Sequence, residues 1–295
     1  MSLDRRAFLK TCLAAGGGLL LSGRAAVAAS PGPVCCLMDV TLCIGCRKCE
    51  AACARANGLP EPAVPFDDLA VLVTRRRMDH ALFTVVNRFG EATDPAFVKI
   101  QCMHCLDPAC VSACPVSALT RDERGIVQYH VDRCIGCRYC MIACPFGVPA
   151  YEYHDAWTPR VRKCGLCADL VASGQAPACV TACPREAIAF GPRDDLLRIA
   201  HERIGHGPGR AAGGKPYLDH VYGETEAGGT GWIYLSSMPF DRIGLPALPD
   251  GAPPRLTESI QHGAIAGFLT PVAVFLVLGT AMFVLRERGG EEAPP

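Results

Sequence analysis

The longest apolar run in the chain, 263–285, carries no charged residue. Glu258 and Gln261-His262 precede it, and Arg286 and Arg288 follow it. A helix needs roughly 20 such residues to cross the hydrocarbon layer of a membrane. The run therefore predicts one transmembrane helix over 263–285, in which Pro271 is tolerable. The arginines after it place the tail 286–295 in the cytoplasm. A weaker apolar stretch, Thr11 to Leu21, follows Arg5-Arg6-Ala7-Phe8-Leu9-Lys10 and leads to the small residues Ala26-Val27-Ala28. That order of basic, apolar and small residues predicts a signal peptide over 1–28 and a mature chain beginning near Ala29.

Between these segments the pattern is short-ranged. Ala118 to Thr120 and Ile126 to Tyr129 flank a polar turn through Gly125, which predicts a hairpin. Ala187 to Phe190 repeats the first of these strands, and Asp194 to Ile204 has helical spacing. Within an insert at 55–101, Leu69 to Val73 and Leu82 to Val86 read as strands of a small sheet. Glycine is frequent from 205 to 231, so the segment 205–262 is expected to run extended over the surface. The elements together predict an α+β fold.

Composition changes this picture at one point. Basic and acidic residues balance at 29 each, which gives no footing for nucleic acid, but there are 19 cysteines. Such a surplus means disulfides or metal, and spacing must discriminate between them. Four runs hold four cysteines each: Cys43, Cys46, Cys49, Cys53; Cys102, Cys105, Cys110, Cys114; Cys134, Cys137, Cys140, Cys144; and Cys164, Cys167, Cys179, Cys183. CIGCR recurs at 43 and 134, and a PAC-V-x-ACP pattern recurs at 108 and 177, so the module is duplicated. Pro115, Pro145 and Pro184 follow the last cysteine of three runs, while Ala54 follows Cys53. Three thiolates spaced by two residues wrap a loop around three irons of a cubane, and the fourth cysteine points towards a neighbouring cluster. Zinc sites lack this third and fourth cysteine followed by proline. Cysteines two residues apart rarely meet disulfide geometry with each other. The spacing therefore predicts 4Fe-4S clusters, with a zinc or disulfide scaffold as the alternative of another class.

The four runs, the anchor and the paired arginines resemble the four-cluster ferredoxin subunits of membrane-bound respiratory complexes, above all the HybA-type hydrogenase iron-sulfur subunits. Formate dehydrogenase beta subunits are similar. The match covers 35–190, includes CMHC at 102 and Asn57-Gly58, and extends loosely to Tyr234–Leu248 and the anchor. The resemblance implies two pseudo-symmetric bacterial ferredoxin-like modules, each with two 4Fe-4S clusters, within 29–204. It also implies a ligand pairing that linker lengths leave open. Cys43, Cys46, Cys49 and Cys183 would share the first cluster; Cys53, Cys164, Cys167 and Cys179 the second. Cys102, Cys105, Cys110 and Cys144 would share the third; Cys114, Cys134, Cys137 and Cys140 the fourth.

The function so implied is a non-catalytic electron relay between a periplasmic nickel-iron hydrogenase small subunit and an integral membrane quinone-reactive subunit. A molybdoenzyme catalytic subunit of the formate dehydrogenase kind is the alternative partner. The arginine pair before Phe8-Leu9-Lys10 resembles a twin-arginine signal, which exports proteins folded around their cofactors. The globular part is then expected on the periplasmic side of the cytoplasmic membrane. Cys12, Cys35 and Cys36 are surplus to four clusters. His104, between two ligands, is expected to hydrogen-bond rather than ligate, and Arg75 to Arg77 to form a solvated face.

Overall fold

The structure, a computed structural model, describes residues 32–155, 157, 160–205 and 215–289. The signal peptide expectation at 1–28 lies outside the described residues, as does most of the tail 286–295.

The central element is strand β1, Val34–Asp39. It lies in the middle of a three-stranded sheet, antiparallel to Ile188–Pro192 on one side and parallel to Trp232–Leu235 on the other. Numbering strands along the chain makes these β8 and β9; the six between them are Thr84–Glu91, Asp94–Gln101, Leu119–Arg121, Val127–Tyr129, Ala150–Tyr151 and Val161–Arg162. Alternation along β1 sends successive side chains to opposite faces of the sheet. Cys36 and Met38 join Trp232 and Tyr234 in the largest core cluster. Cys35 and Leu37 join Ile233, Leu196 and Ala200 on the other face. The last two belong to a helix over Arg193–Gly205, which matches the helix expected at 194–204 to within a residue at each end.

β2 and β3 form a hairpin, as do β4 with β5 and β6 with β7. The β4–β5 hairpin follows the expectation at 118–129 closely. The insert differs from expectation, since Leu69–Val73 is a 3₁₀ turn rather than a strand. Asp68 causes this: its carboxylate accepts from the Ala70 amide at 2.8 Å and closes a turn where an apolar run alone would extend. The strands of the inserted sheet are therefore 84–91 and 94–101.

Residues 215–231, read as a surface segment, are in large part buried. Val221, Tyr222, Ala227 and Thr230 are all in the interior. The Leu218 amide donates to Ser236 O, and Tyr222 forms a bridge with Tyr234. Residues that pair with a sheet edge satisfy their backbone there, whatever their glycine content.

The last helix, Pro253–Gly289, starts against the helix Ala109–Ser112, where Arg255 meets Asp107 at 3.0 Å and Ser112 donates to Glu258 at 2.7 Å. Leu269, Phe275, Leu276, Val277 and Phe283 are all exposed along it. Taken over the described residues alone, no helix is long and apolar enough to cross a membrane.

Candidate iron-sulfur sites

The four cysteine runs fold alike because their backbones turn alike. The residue before the second cysteine is left-handed in every run: Gly45 at φ 70°, His104 at 47°, Gly136 at 70° and Leu166 at 52°. Non-glycine residues pay a steric cost there, and such strain is found where a site demands it. At Gly45 a side chain is excluded for a second reason, because an added Cβ would come within 2.5 Å of the Phe97 ring. Both CIGCR loops are entered from a 3₁₀ turn, Val40–Leu42 and Val131–Arg133, and both continue through a left-handed arginine, Arg47 at 58° and Arg138 at 63°.

Short helices carry Cys49, Cys53, Cys110, Cys140 and Cys179, and Cys114, Cys144 and Cys183 lie just past the ends of theirs. Helix α1 is Lys48–Ala56, α2 is Ala109–Ser112, α3 is Tyr139–Ala143, α4 is Ala168–Ala172 and α5 is Ala178–Thr181. Pro115, Pro145 and Pro184 stop the second, third and fifth of these, since a proline cannot continue a helix beyond its first turn. Three residues past the last cysteine of those runs the chain turns left-handed, at Ser117, Gly147 and Glu186. Ala54 imposes no stop, and α1 runs two residues further, to a cap where Asn57 Nδ2 donates to Cys53 O at 2.8 Å.

This folding gathers the cysteines into four sets. Cys43, Cys46, Cys49 and Cys183 line one cavity. Cys114, Cys134, Cys137 and Cys140 line another. Burial pushes the Cys53 thiol well up, and Cys164, Cys179 and Cys167 are the neighbouring cysteines that push it further. Burial likewise raises Cys105, with Cys102, Cys144 and Cys110 adding to it. Each set draws its fourth member from a different run.

Burial also raises Cys43 to about 11, Cys140 to about 11, and Cys110 and Cys164 to about 12. Thiols held neutral this firmly become thiolates by giving their protons up to a metal. Amide hydrogens already point at several sulfurs. Ala118 N donates to Cys114 Sγ at 3.2 Å and Ala187 N to Cys183 Sγ at 3.3 Å, at matching places in two runs. Gly136 N and Leu166 N reach Cys134 and Cys164 at 3.4 Å each. Donors of this kind stabilise sulfur charge and tune a cluster's potential. Among the described residues no three His, Cys, Asp or Glu side chains converge closely enough to hold a single metal ion. Thiols that ring a cavity, with amides aimed at the sulfurs, fit a cubane.

Each set neighbours the next in order. Cys49 of the first feels Cys179 of the second, Cys164 of the second feels Cys102 of the third, and Cys110 of the third feels Cys140 of the fourth. The surface is reached at both ends: Ile44 in the first CIGCR loop is 51 % exposed and Ile135 in the second 65 %. At the corresponding places in the middle runs, Met103 is buried and Gly165 half-buried.

His104 is buried, and its Nδ1 accepts from the Val127 amide at 3.0 Å, which fixes the proton of the neutral ring on Nε2. Burial, with Lys163 and Lys99 nearby, holds its pKa well below the usual range, so the ring is neutral. Cys35 and Cys36 are core residues, and burial raises the Cys35 thiol to about 12. Cys12 lies outside the described residues. In the arginine triplet Arg75 and Arg77 are exposed, as expected, although Arg75 stacks on Phe89 and Arg77 donates to Gly147 O; Arg76 is half-buried and pairs with Glu50.

Two groups beside the first cavity escaped sequence reasoning, because charged residues read as surface. Glu50 is fully buried, between Arg47 and Arg76, and accepts from the Val86 amide at 2.6 Å. Lys99 is fully buried in the wall of the same cavity. Its signal was a charge inside the apolar run Phe97-Val98-Lys99-Ile100, three residues before Cys102.

Comparison with known proteins agrees with this geometry. Residues 93–193 match the 4Fe-4S dicluster domain family. A protein of Nitratidesulfovibrio vulgaris is 45% identical over 97% of this chain and 78% of its own. The hydrogenase-2 operon protein HybA of Escherichia coli O157:H7 is 37% identical over 92% of each chain. The iron-sulfur subunit of the nitrate-inducible formate dehydrogenase of Escherichia coli K12 is 34% identical over 80% of this chain and 81% of its own. Four cysteine cages, a dicluster match and near full-length similarity lead to one conclusion: the chain belongs to the HybA-type family of 4Fe-4S iron-sulfur subunits.

Proposed function

We propose that this chain relays electrons through four 4Fe-4S clusters between a hydrogenase small subunit and an integral membrane subunit that reacts with quinone. The observation that carries the reading is that each cysteine set neighbours the next, with an exposed isoleucine in the loop of the first set and of the fourth. The clusters supply reversible one-electron chemistry, and their potentials follow from burial, charge and hydrogen bonds. The chain's own contribution is to hold the thiols, aim amides at sulfur and exclude water from the middle of the line.

The ligand sets are those stated above, each completed by a cysteine from a different run, in two pseudo-symmetric modules. Three features support a place at the membrane: the uncharged run 263–285, the arginines that follow it, and the paired arginines near the N-terminus. On this reading the protein is exported by the twin-arginine route and anchored by its C-terminal helix, with its clusters on the periplasmic side. Similarity to a formate dehydrogenase subunit favours one second reading, in which a molybdoenzyme feeds the same line.

The test is metal analysis of the complex purified anaerobically from membranes. About sixteen irons per chain, four for each cubane, with nickel and no molybdenum, is the expected result. Molybdenum in place of nickel would move the chain to the formate dehydrogenase side. Zinc without iron would end the relay reading. The pairing has its own check in Cys53→Ala, which should disturb the cluster shared with Cys164, Cys167 and Cys179. If the disturbed signal belongs instead to the cluster of Cys43, Cys46 and Cys49, the assignment is wrong.

A further inference from the structure

Lys99 lies on β3 and is 1 % exposed. Its ammonium donates to Gln101 Oε1 at 2.9 Å and stands 4.3 Å from the centroid of the Trp232 ring. Gln101 Nε2 donates to the Tyr234 hydroxyl at 2.7 Å, and that hydroxyl donates back to the Lys99 carbonyl at 3.0 Å. This closed ring leaves the ammonium one place to be, and that place is the wall of the cavity of Cys43, Cys46, Cys49 and Cys183.

Among the described residues no carboxylate forms an ion pair with Lys99. Glu50, which shares this region, already meets Arg47, Arg76 and the Val86 amide. An isolated buried ammonium is unfavourable by several kcal/mol and sheds its proton unless opposite charge stands nearby. For Lys99 that charge comes from sulfur. Burial alone would lower its pKa, but Cys179, Cys49, Cys164 and Cys53 override burial and raise it. One of these cysteines belongs to the first set and three to the second. Conversely, Lys99 is the cation that counters the burial of Cys49, Cys53 and Cys164.

We propose that Lys99 is the fixed counter-charge of the first two cluster sites and raises their reduction potentials relative to the same cages without it. The inference rests on the four-cluster reading above. Each cluster with its thiolates is negative, and reduction adds one electron with no bond made or broken. A cation held in a dry wall stabilises the more negative, reduced form. The third set has a buried cation of its own, Lys163, which counters the burial of Cys110, so the effect of Lys99 is confined to the first two. Lys99 acts as a potential-setting residue.

The experiment is an EPR-monitored redox titration of the anaerobic complex carrying Lys99→Met, Lys99→Gln or Lys99→Arg. With Met or Gln, the ratio of reduced to oxidised cluster at a fixed ambient potential should fall at least tenfold, a downward shift of about 59 mV for one electron. This should affect two of the four clusters only. Arg should keep both near their original values. Four unshifted clusters in the Met variant would overturn the inference, as would an equal shift of all four. Should both neutral variants lose about half their iron, four clusters' worth in the Arg variant upholds the need for charge. Iron lost from the Arg variant as well makes the role one of packing and overturns it. Absence of 4Fe-4S signals from the unsubstituted complex would bring down the relay reading itself, a result distinguishable from unshifted potentials.

Discussion

The loops Cys43–Arg47 and Cys134–Arg138 have the same five residues and nearly the same backbone angles, yet they sit in different surroundings. Arg47 turns inward: it donates to Glu50, Pro65 O and Asp68 O and is 1 % exposed. Arg138 turns outward and lies over the rings of Tyr151 and Tyr153, at 5.5 and 5.8 Å. Glu50, next to Cys49, is a buried acceptor, whereas Met141, at the same place after Cys140, is half-buried. Local sequence therefore sets the cage, and the packing around it sets the dielectric and charge in which a cluster works. Duplication supplied two identical loops; the packing around the first buried its arginine, while that of the second stays exposed.

The largest test of this contrast is a matched pair of truncations. Arg47→Ala leaves Glu50 with half its counter-charge and two carbonyls without a donor, and should cost about 3–5 kcal/mol. Arg138→Ala loses an exposed cation–π contact worth about 0.5–1 kcal/mol. Thermal unfolding of the iron-loaded protein under anaerobic conditions should rank the two far apart, and equal midpoints would break the comparison. Next in size is the helix that follows. Ala54→Pro would force on α1 the stop that the other runs carry, at a cost of about 3 kcal/mol. Pro145→Ala in the matching place should change stability by less than about 1 kcal/mol, because it alters chiefly the unfolded chain.

Smallest per residue is the effect of pH. Cys43 and Cys140 are both raised to about 11 by burial, so each binds a proton whenever iron leaves. Cluster retention should therefore weaken as pH falls below about 11 and through the physiological range, by about 1.4 kcal/mol per such thiol per pH unit. Chelator-driven bleaching at pH 6 and 8 reads this directly. Faster bleaching at the higher pH would contradict it.

The cysteine runs and their turns were legible in the sequence because they are local, whereas the run that supplies each fourth cysteine was not, because it lies far along the chain. The β4–β5 hairpin and the helix at 193–205 were legible because they too are local. What was not legible depends on distant partners. β9 pairs in parallel with a strand nearly two hundred residues earlier, and no local pattern announces that. Leu69–Val73 looked like a strand until the Asp68 side chain closed a turn. Glu50 and Lys99 are charges whose burial is worthwhile only beside specific counter-charges, and a one-dimensional pattern does not contain those.

β1 is the first strand of the described fold, and it is central, flanked by β8 and β9. A ribosome working at about 5–20 residues per second needs roughly 10 to 40 s to make the chain between Val34 and Leu235. Until Ile188–Pro192 is made the opening strand has neither neighbour, and Cys43, Cys46 and Cys49 wait for Cys183. The first cage to be started is thus the last to be completed in sequence, whereas the fourth and third sets, whose cysteines lie between 102 and 144, are complete well before it. Completion therefore runs from the fourth and third sets towards the second and first, and a chain interrupted between Cys144 and Cys179 would hold all the cysteines of the fourth and third sets and leave the first two open.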